Sequence, residues 1–425
     1  MNEVPPFDTA DVAGSKTGVD HLPLTIVLKE AVSVATEGEN KVYVVGGIVR
    51  DLLVGRSLQD ADLDLVVEGD GGDYARRLAL RLGATVKEHP TFLTAKLLAP
   101  FFNADSLMGG GPSSSSPGDD NFFDKGAGIT RPVRRGLSEV DVATARSETY
   151  SRSGALPTVH AASLQEDLFR RDFSINAIAL PLSAFLATVK GATGKSEGLS
   201  VDDANALRQA VIDPCGGLDD LDNRILRVLH ADSFVDDPTR LFRLARYLTK
   251  ISGVLDNSTE RYLKGAVAEG VMREISTRRI WNELVACARE PQGAEMLESC
   301  IRWELFDREP FANPQVQHAM VATVAALYKI TVDRPLSSER VELVLLTALF
   351  GSQEVMSNDR ASNEKSKDVL KELQITKVMK RDLFAVLGEK HPLVPKGSIS
   401  PELISLSSDE LSLVQAIVAE GVGRV

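Results

Sequence analysis

Disulfide and zinc chemistry have little to work with in this chain. Its 425 residues hold three cysteines, Cys215, Cys287 and Cys300, none in a Cys-x-x-Cys spacing. That argues against a disulfide framework or a zinc site and points to a reducing compartment. No apolar run approaches the ~20 residues needed to span a bilayer, so no membrane partner is expected. The opening stretch, MNEVPPFDTADVAG, is acidic and has neither a hydrophobic segment nor Arg-rich amphipathicity. A signal or transit peptide is therefore not expected, and the sequence reads as cytoplasmic. Basic charge is scarce as well: 48 Lys and Arg against 60 Asp and Glu leave a net charge of −12. A protein that coats nucleic acid is ordinarily basic, whereas an enzyme touching only an RNA end needs no more than a local basic track. Nothing in the sequence specifies an oligomeric state.

What is present is an ordinary balance of 43% hydrophobic and 25% charged residues, long enough for two to four structural units. The most informative stretch is KVYVVGGIVRDLLVGRSLQDADLDLVVE, residues 41–68. A β-branched run meets Gly46-Gly47 and a short helical turn carrying Arg50. A second apolar run follows, with Asp60, Asp62 and Asp64 at alternate positions. On a strand, alternate residues share a face about 7 Å apart. Like charges so close imply a bound cation, and oxygen-only ligands suit Mg²⁺. The glycine pair lets backbone approach a ligand and offers N–H groups to phosphate. The alternative is a β-turn followed by a solvated acidic edge strand.

Around this unit the pattern predicts a helix over 22–37, a helix begun by Asp73 and stopped by Gly83, and strands in ATVKEH and FLTAKLLA. Residues 100–136 are Gly/Ser/Pro/Asp-rich without period, the signature of a disordered insertion. SEVDVATARSETY resumes the strand pattern and carries Asp141. In EDLFRRDFSINAIAL, Arg170 and Arg171 offer forks for phosphate. Asp172 and Asn176, four apart on a helix, could hold a ribose or fix an arginine. A solvated helix face is the competing reading. In SFVDDPTRLFRLARY, Asp237 and Arg240 are three apart and would face one way on a helix, with Arg243 and Arg246 continuing the stripe. Asp237 before Pro238 is equally a good helix N-cap. A polar excursion is expected over 187–208, and from about residue 258 the pattern is helical.

The elements GGIVRDLLVG, DLDLVVEG, RRDF-x-INA and Asp236-Asp237-x-x-Arg240, in this order, resemble the class II tRNA nucleotidyltransferases of the polymerase-β-like superfamily. That family includes CCA-, CC- and A-adding enzymes and bacterial poly(A) polymerases. Its helix carries Glu-Asp-x-x-Arg where this chain has Asp236 first, a shorter reach. Arg279 and Glu283 match its Arg-x-x-x-Glu spacing.

The resemblance implies an α+β fold: a small mixed-sheet head followed by an all-helical neck, body and tail. It implies a flexible arm over 1–22, a head over 23–182 containing the 100–136 insertion, a neck over 183–290, and an RNA-binding body and tail over 291–425. It further implies template-independent addition of CMP and/or AMP, from CTP and ATP, to the 3′ end of tRNA. Asp62 and Asp64 would hold two Mg²⁺ ions, with Asp141 as a third carboxylate or a plain strand-face residue. Gly46, Gly47 and Arg50 would cradle the triphosphate, and Arg171, Asp172 and Asn176 the ribose–phosphate. Arg243 and Arg246 would reach the triphosphate or the RNA end. Asp237 and Arg240 would read the donor–acceptor edge that adenine and cytosine share and that guanine and uracil reverse. Counting back from VVEG puts the catalytic pair at Asp62 and Asp64; counting forward from Gly55 puts it at Asp60 and Asp62. The first count is preferred. A poly(A) polymerase ranks second because the basic Arg-Phe signature after the LLG turn is absent, and a catalytically inactive RNA-binding relative ranks third.

Overall fold

Alternation of buried and half-buried positions builds a six-stranded sheet. The strands are β1 (Lys41–Val45), β2 (Leu63–Glu68), β3 (Thr85–His89), β4 (Thr94–Leu98), β5 (Glu139–Thr144) and β8 (Ala179–Pro181), in the order β3-β4-β5-β2-β1-β8. The sheet is mixed: β2 and β5 run parallel, and every other neighbouring pair is antiparallel. In this computed structural model the described residues are 21–56, 58, 62–101, 137–192, 201–308, 311–331, 336–351, 367–387, 394 and 406–422. Residues 1–20 of the expected 1–22 arm, Asp60, and residues 102–136 of the expected 100–136 insertion lie outside them.

One face of the sheet is apolar. Val42 and Val44 of β1, Leu63, Leu65 and Val67 of β2, and Val140 and Val142 of β5 pack under helices α1 (Leu24–Glu37) and α3 (Gly71–Leu82). Tyr74 Oη donates to Ala31 O at 2.8 Å and ties the two helices. The second helix starts earlier than expected: Asp70 is its N-cap, accepting from Asp73 N at 2.8 Å, and Asp73 lies in the first turn. Gly83 ends it with φ of 65°, a left-handed conformation in which glycine pays no Cβ penalty. The opposite face carries a smaller apolar patch (Val45, Val66, Ala145) beneath α4 (Leu164–Phe169). The period of two that sends Leu63 and Leu65 into the core sends Asp64 to this other face.

A third and larger core forms among the C-terminal helices, from Phe173 and Ile175 through Trp281 to Ile417 and Val418. Phe173 therefore packs with the helices, while Ile178 and Leu180 pack with the sheet core. Of the polar excursion expected over 187–208, the described residues are helical, in Leu182–Ala192 and Val201–Ala210; Phe185, Leu186, Val189 and Leu207 join the sheet core, and this tertiary burial overrides the polar composition. Cys287 and Cys300 are buried in the helical core, and burial pushes the Cys287 thiol up to about 12. Among the described residues no helix is long and apolar enough to cross a membrane.

Candidate active site

The site begins at the turn between β1 and α2 (Gly47–Leu53). Gly46 has φ of 75° and ψ of −136°, outside the regions comfortable for L side chains. A Cβ there would stand 3.5 Å from Arg171 Nη1 and 3.8 Å from Asp64 Oδ2. The glycine thus keeps open the space between a guanidinium and a carboxylate. Its own N–H donates to Ile178 O at 3.3 Å, so it is not free as the sequence suggested. Gly47 opens the helix and has no intrahelical acceptor for its N–H.

Across β4, β5 and β2 runs a row of three charges. Asp64 is directly opposite Asp141, and Asp141 directly opposite Lys96. Lys96 Nζ lies 3.1 Å from Asp141 Oδ2 and 3.0 Å from Glu139 Oε1. Burial pushes the Asp64 carboxyl up to about 6; Asp141 and Asp62 add to the rise, and Arg171 and Lys96 oppose it. Asp141 is also raised, by burial first, against the pull of Lys96. Asp62 is exposed just before β2. Among the described residues no group of three His, Cys, Asp or Glu side chains is drawn together tightly enough to be a ready-made metal centre. The donor set nevertheless fits a hard cation: oxygen-only, mutually repelling, with a half-buried Asp64 carboxylate that accepts no hydrogen bond from another described residue. Lys96 was not singled out in the sequence. Its alternate position on FLTAKLLA was the available signal.

A cavity of about 440 Å³ opens beside this row. Gly46, Gly47 and Asp64 form one side, and Asp172, Asn176, Asp237, Arg240 and Arg243 form another. Arg170 and Arg171 also line it, held by Asp167, which is fully buried. Arg170 Nη2 donates to Asp167 Oδ1 at 2.7 Å, and Arg171 Nη2 to Asp167 Oδ2 at 2.8 Å. Burial acts to raise the Asp167 carboxyl, and the two guanidiniums outweigh it and hold it low. Asp167 escaped notice in the sequence, although Asp-x-x-Arg-Arg is the spacing that lets one carboxylate reach both arginines from a helix.

Asp172 and Asn176 do not share a helix. The α4 helix ends at Phe169, and Asn176 lies in the short 3₁₀ turn Ser174–Asn176. They still meet, with Asn176 Nδ2 donating to Asp172 Oδ1 at 3.1 Å. Asp172 is paired with Arg243, whose Nε donates at 2.8 Å. Burial acts to raise Asp172; Arg243, together with Asn176, overcomes it and brings the carboxyl down to about 2.

Asp237 and Arg240 do not share a helix either. Asp237 follows the short helix Ser233–Asp236 in extended conformation, and the next helix runs Arg240–Ile251 beyond Pro238. Asp237 Oδ1 accepts from Thr239 N (3.1 Å), Thr239 Oγ1 (2.7 Å) and Arg279 Nη2 (2.6 Å). It is both a local turn cap and a cross-chain partner. The buried Arg240 donates to Ser233 Oγ at 2.7 Å and Arg170 O at 2.8 Å.

Arg50 and Arg246 do not line the cavity; they stand behind it. Arg50 Nη1 donates to Asn176 Oδ1 at 2.6 Å and Nη2 to Asp51 at 3.0 Å. Arg246 pairs with Glu283 at 3.5 Å. The hairpin β6 (Arg146–Thr149) and β7 (Thr158–Ala161) closes the cavity from a third side. There Tyr150 Oη donates to Glu148 Oε2 at 2.8 Å, and Arg170 donates to Glu148 Oε1 at 2.7 Å. Arg279 Nη1 ties the hairpin loop to the helices through Gly154 O at 3.0 Å.

Comparison with known proteins gives a match between residues 42–100 and 123–227 and the family described as Poly A polymerase head domain. An A-adding tRNA nucleotidyltransferase of Geobacter sulfurreducens is 37% identical over 272 residues, covering 64% of this chain and 24% of that protein. One from Halalkalibacterium halodurans is 30% identical over 304 residues, covering 70% of this chain and 57% of that protein. The chain thus spans less than two thirds of either relative. A tRNA nucleotidyltransferase solved with a primer tRNA and an incoming ATP analog has a TM-score of 0.54 at 26% identity, covering 91% of this chain and 94% of that one.

Proposed function

We infer, from a chain that belongs to the class II tRNA nucleotidyltransferase family, that it extends the 3′ end of tRNA by template-independent transfer of a nucleotide from ATP or CTP. The observation that carries this reading is the position of Asp64. It stands in register with Asp141, at the edge of a cavity whose other side holds Arg171, Asp237 and Arg240. On this reading residues 23–182 are the catalytic head, 183–290 the neck, and 291–425 a helical body and tail that bind RNA.

Asp62, Asp64 and Asp141 would hold Mg²⁺, which when bound supplies charge neutralisation at the leaving pyrophosphate and acidifies the attacking 3′ hydroxyl. Arg170 and Arg171 present forks suited to phosphate, pre-set by Asp167 so that little side-chain freedom is lost on binding. Gly46 and Gly47 give the triphosphate room beside them. Asp172 and Asn176 face the ribose, backed by Arg243 and Arg50. Asp237 and Arg240 meet the base edge. Asp237 Oδ1 already accepts three bonds, which leaves Oδ2 as the oxygen that would accept from the amine.

The relatives named A-adding favour AMP addition to an end already carrying CC. The test is incorporation of labelled CTP and ATP, separately and together, into tRNAs ending before CCA, after C and after CC. A single A on the CC end supports this reading, and C addition to the bare end moves it to a CCA- or CC-adding enzyme. Long A tracts on any RNA make it a poly(A) polymerase. No incorporation with Mg²⁺ overturns the enzyme reading.

A further inference from the structure

Four side chains from three segments of the chain meet at the ring of Tyr247. Arg50 comes from the helix after the glycine pair, Phe173 from the RRDF segment, and Arg243 and Arg246 from the same helix as the tyrosine. The guanidinium carbons of Arg50, Arg246 and Arg243 lie 5.1, 5.3 and 5.5 Å from the ring centroid. All three are inside the ~6 Å range where the ring quadrupole attracts a cation. Phe173 meets the ring edge-on, with centroids 5.7 Å apart and planes at 70°. The ring is half-buried and lines the cavity beside Asp172 and Asn176.

Three guanidiniums gathered this closely repel one another, and each is also committed to a partner: Arg50 to Asn176, Arg243 to Asp172, Arg246 to Glu283. A negative π face between them offsets that repulsion without adding a further carboxylate. The hydroxyl contributes less, since Arg243 Nη2 is 3.5 Å from Tyr247 Oη. The phenol itself registers the field: burial acts to raise its pKa, yet the arginines bring it below the ordinary tyrosine value.

We propose that Tyr247 is a positioning residue for nucleotide binding: its ring sets the spacing of Arg50, Arg243 and Arg246, and through them the orientation of Asn176 and Asp172 at the cavity wall. The proposal rests on the cavity being the nucleotide site. It assigns the ring a role through its electron distribution, which side-chain volume alone would not require.

The test replaces Tyr247 in the full chain by Phe and then by 4-fluoro-, 3,5-difluoro- and 3,4,5-trifluorophenylalanine. Fluorination drains the π face while nearly preserving shape. ATP and CTP binding to the tRNA-free protein is measured by calorimetry, and thermal unfolding is followed for each member. Tyr247→Phe should bind within about twofold of the parent, and affinity should then fall stepwise, on the order of tenfold by the trifluoro member. A flat affinity series, or one in which only the melting temperature moves, overturns the proposal. If the parent protein binds nucleotide but extends no tRNA, the functional reading fails while the series still decides the role of the ring. If it binds neither nucleotide, both are overturned.

Discussion

Asp64 and Asp141 stand opposite each other on adjacent parallel strands, and the Asp64 carboxylate accepts no hydrogen bond from another described residue. Backbone register holds these two like charges together, and Lys96 beside Asp141 and Arg171 near Asp64 offset the repulsion and burial only in part. With those cations present the Asp64 carboxyl is still pushed up to about 6, so keeping it ionised in the folded chain costs stability.

Replacing Asp64 by Asn should therefore separate stability from activity. In metal-free buffer, Asp64→Asn should melt about 2–4 °C higher than the parent, since burial and repulsion of the charge both disappear. Nucleotide incorporation should fall on the order of a thousandfold or more. Asp62→Ala should abolish incorporation and Asp60→Ala leave most of it. Equal losses would shift the catalytic pair one alternate position toward the N-terminus.

Asp172 and Arg243 set an acid limit. The folded Asp172 carboxyl is held at about 2, below its unfolded value, so its stabilisation is fully present above about pH 4 and is lost as pH falls from there toward 2. Denaturant unfolding between pH 3 and 7 should show an acid-side loss in the parent that is smaller in Asp172→Asn. Arg243→Ala leaves the carboxylate buried without its cation, and should cost about 3 kcal/mol at pH 7. An Arg243→Ala protein as stable as the parent would show that the pair adds nothing.

Arg279 joins Gly154 O of the hairpin loop to Asp237, so one guanidinium holds both the loop and the carboxylate assigned to the base edge. Arg279→Ala should lower kcat/KM for the preferred nucleotide by about 10–100-fold and reduce discrimination against GTP and UTP. Arg279→Lys should recover little, because a single ammonium lacks the two-pronged geometry. Steady-state kinetics with all four nucleotides decides it. Unchanged discrimination would mean that Thr239 alone is enough to orient Asp237.

Local periodicity made much of this legible. The strand alternation that buries Leu63, Leu65 and Val67 also puts Asp64 on the opposite face, and both facts follow from the order of residues. Gly46 could be read as a turn glycine for the same reason, and the structure gives it a positive φ. Helical spacing was less reliable at the ends of helices. Asp172 with Asn176, and Asp237 with Arg240, are each interrupted by a helix end, and Pro238 enforces the second break because its ring fixes φ and removes a donor.

The sequence by itself therefore determined which face carries the carboxylates and where the backbone must turn, because strand period and glycine conformation are local properties of the chain. Only the tertiary structure decided which charged groups face the cavity and which stand behind it. Arg50 meets Asn176, Arg243 meets Asp172 and Arg279 meets Asp237 across separations of 126, 71 and 42 residues. Those pairings depend on how the helices pack against the sheet, and no period within a single segment encodes that.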